Sequence, residues 1–209
     1  MKKLLHIIST PRGDASRTLK ISGTFLKEVK NKYPACVIDT LDLFNETIPP
    51  ITLKTVNGKY ALLSGKDLSG DLKDAWRDIE RLITRFLSAD AYLISTPMWN
   101  FSIPYVLKHY IDVIVQPKYL FRYTDKGAEG LAKNKKMVII TSRGGDYSAA
   151  SPLHAYDYQE PYLRAIFNLA GITDIVFINA EPMDALGPVV AEEAIKQAQN
   201  LAVEIAGKF

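Results

Sequence analysis

The feature that most constrains this chain is the regular exchange of two hydrophobic rhythms. Short apolar runs fall at Lys3–Ser9, Ala35–Leu41, Ala91–Ser95, Lys136–Thr141 and Ile175–Asn179. They are too short for helices and too continuous for strands that face water on one side. Between them lie longer stretches whose apolar residues recur every three or four positions. In Asp71–Leu87 the stripe is Leu72, Ala75, Trp76, Ile79, Leu82, Ile83 and Phe86. In Ser16–Lys32 it is Leu19, Phe25, Leu26 and Val29, with Ser16 placed to cap the helix. Ile103–Val115 reads as a helix with Pro104 in its first turn, and Tyr156–Leu169 as one ended by Gly171. Pro188 opens the last helix, with Glu192 and Glu193 near its positive end.

Buried strands alternating with helices imply a parallel sheet covered on both faces, an α/β architecture. Five strands fit the doubly wound, flavodoxin-like order 2-1-3-4-5. A length of 209 residues suits one domain over 1–209. Two segments fall outside the alternation. Leu120–Leu131 reads as an added hairpin, from the Phe-Arg-Tyr-Thr alternation before Asp-Lys-Gly. Asn45–Gly70 is polar and rich in Gly, Pro and Thr, and is expected as a loop excursion near a site mouth or on the surface.

Composition excludes several functions. A single cysteine, Cys36, permits no intrachain disulfide and no cysteine-rich metal site. No stretch approaches the ~20 apolar residues of a membrane helix, and the N-terminus lacks a signal-peptide pattern, so a cytoplasmic protein is expected. A net charge of +3 is too mild for a nucleic-acid partner, and the cluster Lys133, Lys135, Lys136 reads as a solvated turn. His6, His109 and His154 show no metal spacing, and His6 is expected simply to pack within the first strand.

In a doubly wound sheet, ligands sit beyond the carboxyl ends of the strands. The loops after the first, third and fourth strands are Ser9–Thr18, Thr96–Phe101 and Ser142–Asp146. The first leads into a helix N-terminus and offers the hydroxyls of Thr10, Ser16 and Thr18, which suits a phosphate or a capped polar turn. It lacks the glycine–lysine pattern of a triphosphate loop and the G-x-G-x-x-G of a dinucleotide site. It also lacks the cysteine of a thiol phosphatase, and Ser9-Thr10-Pro11 offers none of the acidic residues a receiver domain needs directly after its first strand. The second packs Met98, Trp99, Asn100 and Phe101 together. That composition fits a wall for a flat ring, or an ordinary aromatic pair in the core. In the third, Gly144 and Gly145 let the backbone approach a ligand closely, or simply close a tight turn.

Together these residues resemble the FMN-dependent NADH-azoreductase family of quinone and azo reductases. The resemblance runs through Pro97-Met98-Trp99-Asn100-Phe101-Ser102-Ile103-Pro104, Leu107-Lys108-His109-Tyr110-Ile111-Asp112 and Phe121-Arg122-Tyr123-Thr124. It continues through Gly127, Glu129-Gly130-Leu131, Thr141-Ser142-Arg143-Gly144-Gly145, Gly171-Ile172-Thr173-Asp174 and Gly187-Pro188. It implies FMN as cofactor, with phosphate contacts from Thr10 (and Ser9), Ser16, Arg17 and Thr18, Arg17 acting more through its backbone than its charge. Met98, Trp99, Asn100 and Phe101 would line the ring and ribityl chain, and Ser142, Arg143, Gly144 and Gly145 the far ring edge. The family often has Tyr where Trp99 stands and Ser where Thr18 stands; both changes preserve the chemistry. The implied reaction is two-electron ping-pong transfer from NADH or NADPH to small aromatic acceptors, azo compounds or quinones. The flavin carries the chemistry and no side chain is required as a catalytic group. Tyr123 is the candidate for touching the acceptor, and a homodimer is implied. The competing readings are a non-enzymatic FMN electron carrier, which is usually shorter and acidic, and an acyl-carrier-protein phosphodiesterase, for which no G-x-S-x-G elbow or metal cluster is found.

Overall fold

A computed structural model describes residues 1–209. Its strands are β1 (Lys3–Ile8), β2 (Val37–Asp42), β3 (Ala91–Pro97), β4 (Phe121–Thr124), β5 (Gly127–Gly130), β6 (Lys136–Ser142) and β7 (Asp174–Ala180). Its helices are α1 (Arg17–Lys32), α2 (Leu53–Leu63), α3 (Gly70–Leu87), α4 (Tyr105–Ile114), α5 (Glu160–Ala170) and α6 (Pro188–Lys208). Five parallel strands form one sheet in the order β2-β1-β3-β6-β7, and β4 and β5 form the separate antiparallel hairpin. With the hairpin strands left out of the count, this is the order 2-1-3-4-5.

The period-two alternation of strand side chains divides the core into two layers. Leu5 and Ile7, Tyr92 and Ile94, and Met137 and Ile139 face the layer built on α3, α4 and α5. Leu4, Leu93, Val138 and Ile140 face the opposite layer, which rests on α1 and α6. There Ile21, Phe25 and Val29 of α1, four residues apart, meet Ala198, Ala202 and Ala206 of α6, also four apart. The alanines let the two helices approach closely. His6 is buried in β1, and its Nε2 lies 2.7 Å from Ser95 Oγ, so it packs within the strand as its position implied.

The structure departs from the sequence expectations in four places. The excursion at 45–70 contains a helix, α2, opened by a reciprocal cap between Thr52 and Thr55. Gly58 faces the Trp76 ring, where an added Cβ would lie 2.1 Å from Nε1, so α2 docks on α3 with almost no separation. α5 starts at Glu160, not Tyr156, because Asp157 Oδ1 accepts the Gln159 and Glu160 amides and a short 3-10 turn takes up Pro152–Tyr156. Pro104 precedes α4 as its N-cap and is not in its first turn. β2 covers Val37–Asp42, two residues later than Ala35 at its start. No helix is long and apolar enough to cross a membrane.

Candidate functional site

The loops following β1, β3 and β6 converge at the carboxyl edge of the sheet, joined there by the loop after β7. They enclose a cavity of about 200 Å³ lined by Thr10, Ser16, Arg17 and Thr18, by Met98 and Trp99, and by Ser142, Arg143 and Gly144. Arg12, Pro97, Met183 and Asp184 complete the wall.

The first loop turns through a short 3-10 segment, Gly13–Ala15, and enters α1 with Ser16 Oγ accepting the Leu19 amide at 3.3 Å. This holds the first-turn amides and the positive end of the helix toward the cavity, the geometry that suits a phosphate. Thr18 Oγ1 lies 2.8 Å from Ser142 Oγ, bridging the first and third loops. Ser9 is fully buried and gives its hydroxyl and amide to Ser95 O, so it supports the loop from behind. Arg17 enters through its side chain: Nη1 is 2.7 Å from Asp184 Oδ1, an ion pair across the mouth. Arg12 and Arg17 against Asp184 leave the lining net positive.

The second loop folds back on itself. Trp99 N donates to Ser102 O at 2.9 Å and Ser102 N to Trp99 O at 3.0 Å. Between them Asn100 and Phe101 have φ of 46° and 69°. Two successive left-handed residues make the mirror-image turn that glycine and asparagine favour. Phenylalanine there costs on the order of 1–2 kcal/mol, a strain kept only where surroundings enforce it. They do so here: Tyr158 N donates to Phe101 O at 3.0 Å, and Tyr156 and Tyr147 pack against the Phe101 ring at 5.5 and 6.3 Å. Trp99 and Phe101 are exposed at 37% and 45%, so neither belongs to the core. A shallower hollow lies on the other side of Trp99, between Asn100, Ile103, Tyr105 and Tyr162.

In the third loop an added Cβ would meet Asp184 Oδ2 at 3.2 Å from Gly144 and Leu153 at 3.1 Å from Gly145. Neither glycine amide donates to the protein backbone, so both are available at the rim. Arg143 belongs to the same loop. Its side chain is 1% exposed and turns away from the cavity. Nη1 is 3.0 Å from Asp157 Oδ2, Nε reaches Gln159 Oε1 and Thr141 Oγ1, and Glu160 and Glu181 lie at 3.8 and 3.7 Å. Only the backbone of Arg143 is positioned for a ligand. Burial pushes the Glu181 carboxyl up, with the Tyr147 amide and Arg143 acting in the opposite sense.

The sequence-selected residues Thr10, Ser16, Arg17, Thr18, Met98, Trp99, Ser142, Arg143 and Gly144 therefore share one cavity, whereas Asn100, Phe101 and Gly145 belong to the same loops but do not line it. Tyr123 does not join them. It is 69% exposed on the hairpin, which docks where Gly130 meets Gly171, at the far end of α5. Arg12, Met183 and Asp184 were missed. The signal for the last two was available, since their loop follows the carboxyl end of a further strand. A second cavity, about 300 Å³ and lined mainly by apolar residues of α2 to α5, has no comparable convergence of polar groups.

Fold and site define a flavodoxin-like α/β protein whose carboxyl-edge cavity joins an anion-suited lining to an aromatic wall. The family model described as flavodoxin-like fold matches residues 2–205. An FMN-dependent NADH:quinone oxidoreductase of Nitratidesulfovibrio vulgaris is 36% identical over 208 residues, covering 98% of this chain and 100% of that one. Another from Nostoc punctiforme is 40% identical over 184 residues, covering 88% and 89%. Among solved structures, an azoreductase from Bacillus anthracis superposes with a TM-score of 0.90 at 29% identity, covering both chains completely. An FMN-dependent NADH-azoreductase from the same species, solved with FMN, gives 0.84 at 29% identity, covering 99% of this chain and 100% of that one. The chain belongs to this flavodoxin-like family of FMN-dependent NADH:quinone oxidoreductases and azoreductases.

Proposed function

We propose that this chain binds FMN in the carboxyl-edge cavity and catalyses two-electron reduction of quinones and azo compounds at the expense of NADH. The observation that carries the reading is the convergence of three separate loops, bearing hydroxyls and arginines on one side and Met98–Trp99 on the other, in a single cavity. The donor set fits the cofactor. Thr10, Ser16, Thr18 and the first-turn amides of α1 suit a phosphate monoester, and Arg12 and Arg17 neutralise its charge. The volume of about 200 Å³ has room for the phosphate and its chain. Met98, Trp99 and the Asn100–Phe101 turn would hold the ring where the cavity opens, and the Gly144 and Gly145 amides would address its polar edge. When bound, FMN would supply the two-electron redox chemistry between a nicotinamide donor and the acceptor. The protein binds, orients and excludes water, and no side chain is needed as nucleophile or base.

The site is open on its aromatic side, and Tyr123 is remote from it within one chain. A homodimer in which a second copy brings its hairpin to the open face reconciles these facts and keeps Tyr123 as an acceptor contact. One buried cysteine and a nicotinamide donor agree with the cytoplasm. NADH is preferred over NADPH by analogy with the relatives' names. The test is the purified protein itself: a flavin spectrum, NADH oxidation with a quinone or azo dye, and parallel initial-rate lines for ping-pong turnover. A yellow protein that turns over none of these acceptors would be an electron carrier; a colourless one that takes up no FMN ends the reading.

A further inference from the structure

The segment Asp157-Tyr158-Gln159, just before α5, does not itself line the cavity yet bonds from behind to both loops that frame its ring end. Gln159 is fully buried. Its Nε2 donates to Pro97 O at 2.9 Å, at the root of the Met98–Phe101 wall. Its Oε1 accepts from Arg143 Nε at 3.2 Å, at the root of the Ser142–Gly145 turn. Tyr158 N holds Phe101 O, and Asp157 Oδ2 holds Arg143 Nη1. Beyond the β3–β6 ladder, which pairs Pro97 with Ser142 at the loop roots, the direct tie between the two loops is Met98 N to Ser142 O at 2.9 Å.

We propose that Gln159 is a positioning residue of the cofactor site: its carboxamide sets the spacing between the aromatic wall and the glycine turn, and so sets how tightly and in what electronic environment the flavin is held. The inference rests on the FMN reading. The carboxamide is required because one group must donate to a carbonyl and accept from a guanidinium at once, which neither a carboxylate nor a hydrocarbon can do. Arg143 is buried and Pro97 half-buried, and each keeps only a hydroxyl contact without Gln159, Thr141 Oγ1 at Arg143 Nε and Thr96 Oγ1 at Pro97 O, so losing a Gln159 bond loosens the loop root it holds.

Two variants separate the two halves of the contact. Gln159→Glu still accepts from Arg143 but cannot donate to Pro97 O. Gln159→Leu loses both bonds. On apoprotein, hydrogen exchange of the 98–102 amides is expected to quicken in both variants, and of the 143–146 amides only in Gln159→Leu, with α6 unchanged in either. With FMN added, both are expected to weaken binding about tenfold or more and to shift the midpoint potential and visible circular dichroism of the bound flavin. The proposal is overturned if the variants lose thermal stability while FMN affinity, potential and loop exchange stay at wild-type values, since that marks a purely structural residue. It is also overturned if exchange quickens equally at both loops in Gln159→Glu. Should wild-type protein take up no FMN, the cofactor reading fails, and the exchange pattern still decides whether Gln159 spaces the loops.

Discussion

Replacing Gly58 by alanine sets two physical effects against each other. Gly58 lies inside α2, where helix propensity alone favours alanine by about 1 kcal/mol. The added methyl, however, would stand 2.1 Å from Trp76 Nε1, 2.7 Å from Cε2 and 2.8 Å from Cδ1. Trp76 cannot simply move aside. It is fully buried, its indole N–H donates to Thr55 O at 3.1 Å, and its ring stacks on Tyr119 at 6.3 Å. Overpacking of this kind costs about 1–3 kcal/mol, and a displaced indole N–H without a partner about 1–3 more. Propensity returns about 1, so Gly58→Ala is expected to destabilise by roughly 1–5 kcal/mol. Urea unfolding with an unchanged slope measures it directly. Trp76→Phe makes room for the methyl, so the cost of Gly58→Ala should shrink in that background, a coupling the double-mutant cycle reads. FMN affinity should hold, because Gly58 and Trp76 lie outside the carboxyl-edge cavity. A Gly58→Ala protein as stable as wild type, or more so, would mean that the α2–α3 contact is looser than drawn and that propensity alone governs the position.

Three further outcomes are expected. Thr18→Val removes the hydroxyl that meets Ser142 Oγ and faces the phosphate position, and should weaken FMN binding about tenfold in a fluorescence titration, a loss of ~1.4 kcal/mol; unchanged affinity would remove Thr18 from the phosphate site. Asp184→Asn frees Arg17 from its ion pair and should tighten FMN binding a few-fold, more so at low salt, whereas weaker binding would show that Asp184 supports the site and does not compete for Arg17. Burial lowers the His6 pKa from 6.5 to about 4, with Asp42 opposing the shift only in part. The unfolded chain therefore binds a proton between those values while the folded one does not, so stability is full above pH 6.5 and falls toward pH 4. At pH 5 the loss is about 2 kcal/mol, and His6→Gln should remove that part of the slope in urea titrations at pH 7 and 5.

Much of the fold was legible because buried strands and amphipathic helices impose different periods, and each period is local. The β1, β3 and β6 runs are nearly continuous in apolar residues, His6 alone interrupting β1, so both faces had to be covered, and the two-layer core follows. The site loops were legible for a related reason: a strand end fixes where its loop must go, whatever the loop's own conformation. α2 was not, because its signal is weak. Thr52 and Thr55 cap it, but Gly58 interrupts it and only Trp76, at the next helix, explains why glycine must be there.

The same distinction explains Arg143 and Tyr123. Arg143 follows β6 and lies in a cavity loop as the sheet dictates, but the direction of its side chain depends on Asp157 and Gln159, which lie beyond a 3-10 turn in a segment without periodicity. A residue's position in a loop is a property of the sheet, whereas its side-chain direction is a property of partners far away in sequence. Tyr123 extends this from one chain to two. Its hairpin is placed by the close approach of Gly130 to Gly171, which carries the tyrosine away from its own cavity. If Tyr123 serves the acceptor, it serves the cavity of another copy. Dilution below the dimerisation constant should then abolish the effect of Tyr123→Ala on acceptor KM without altering FMN affinity for the Thr10–Thr18 phosphate loop.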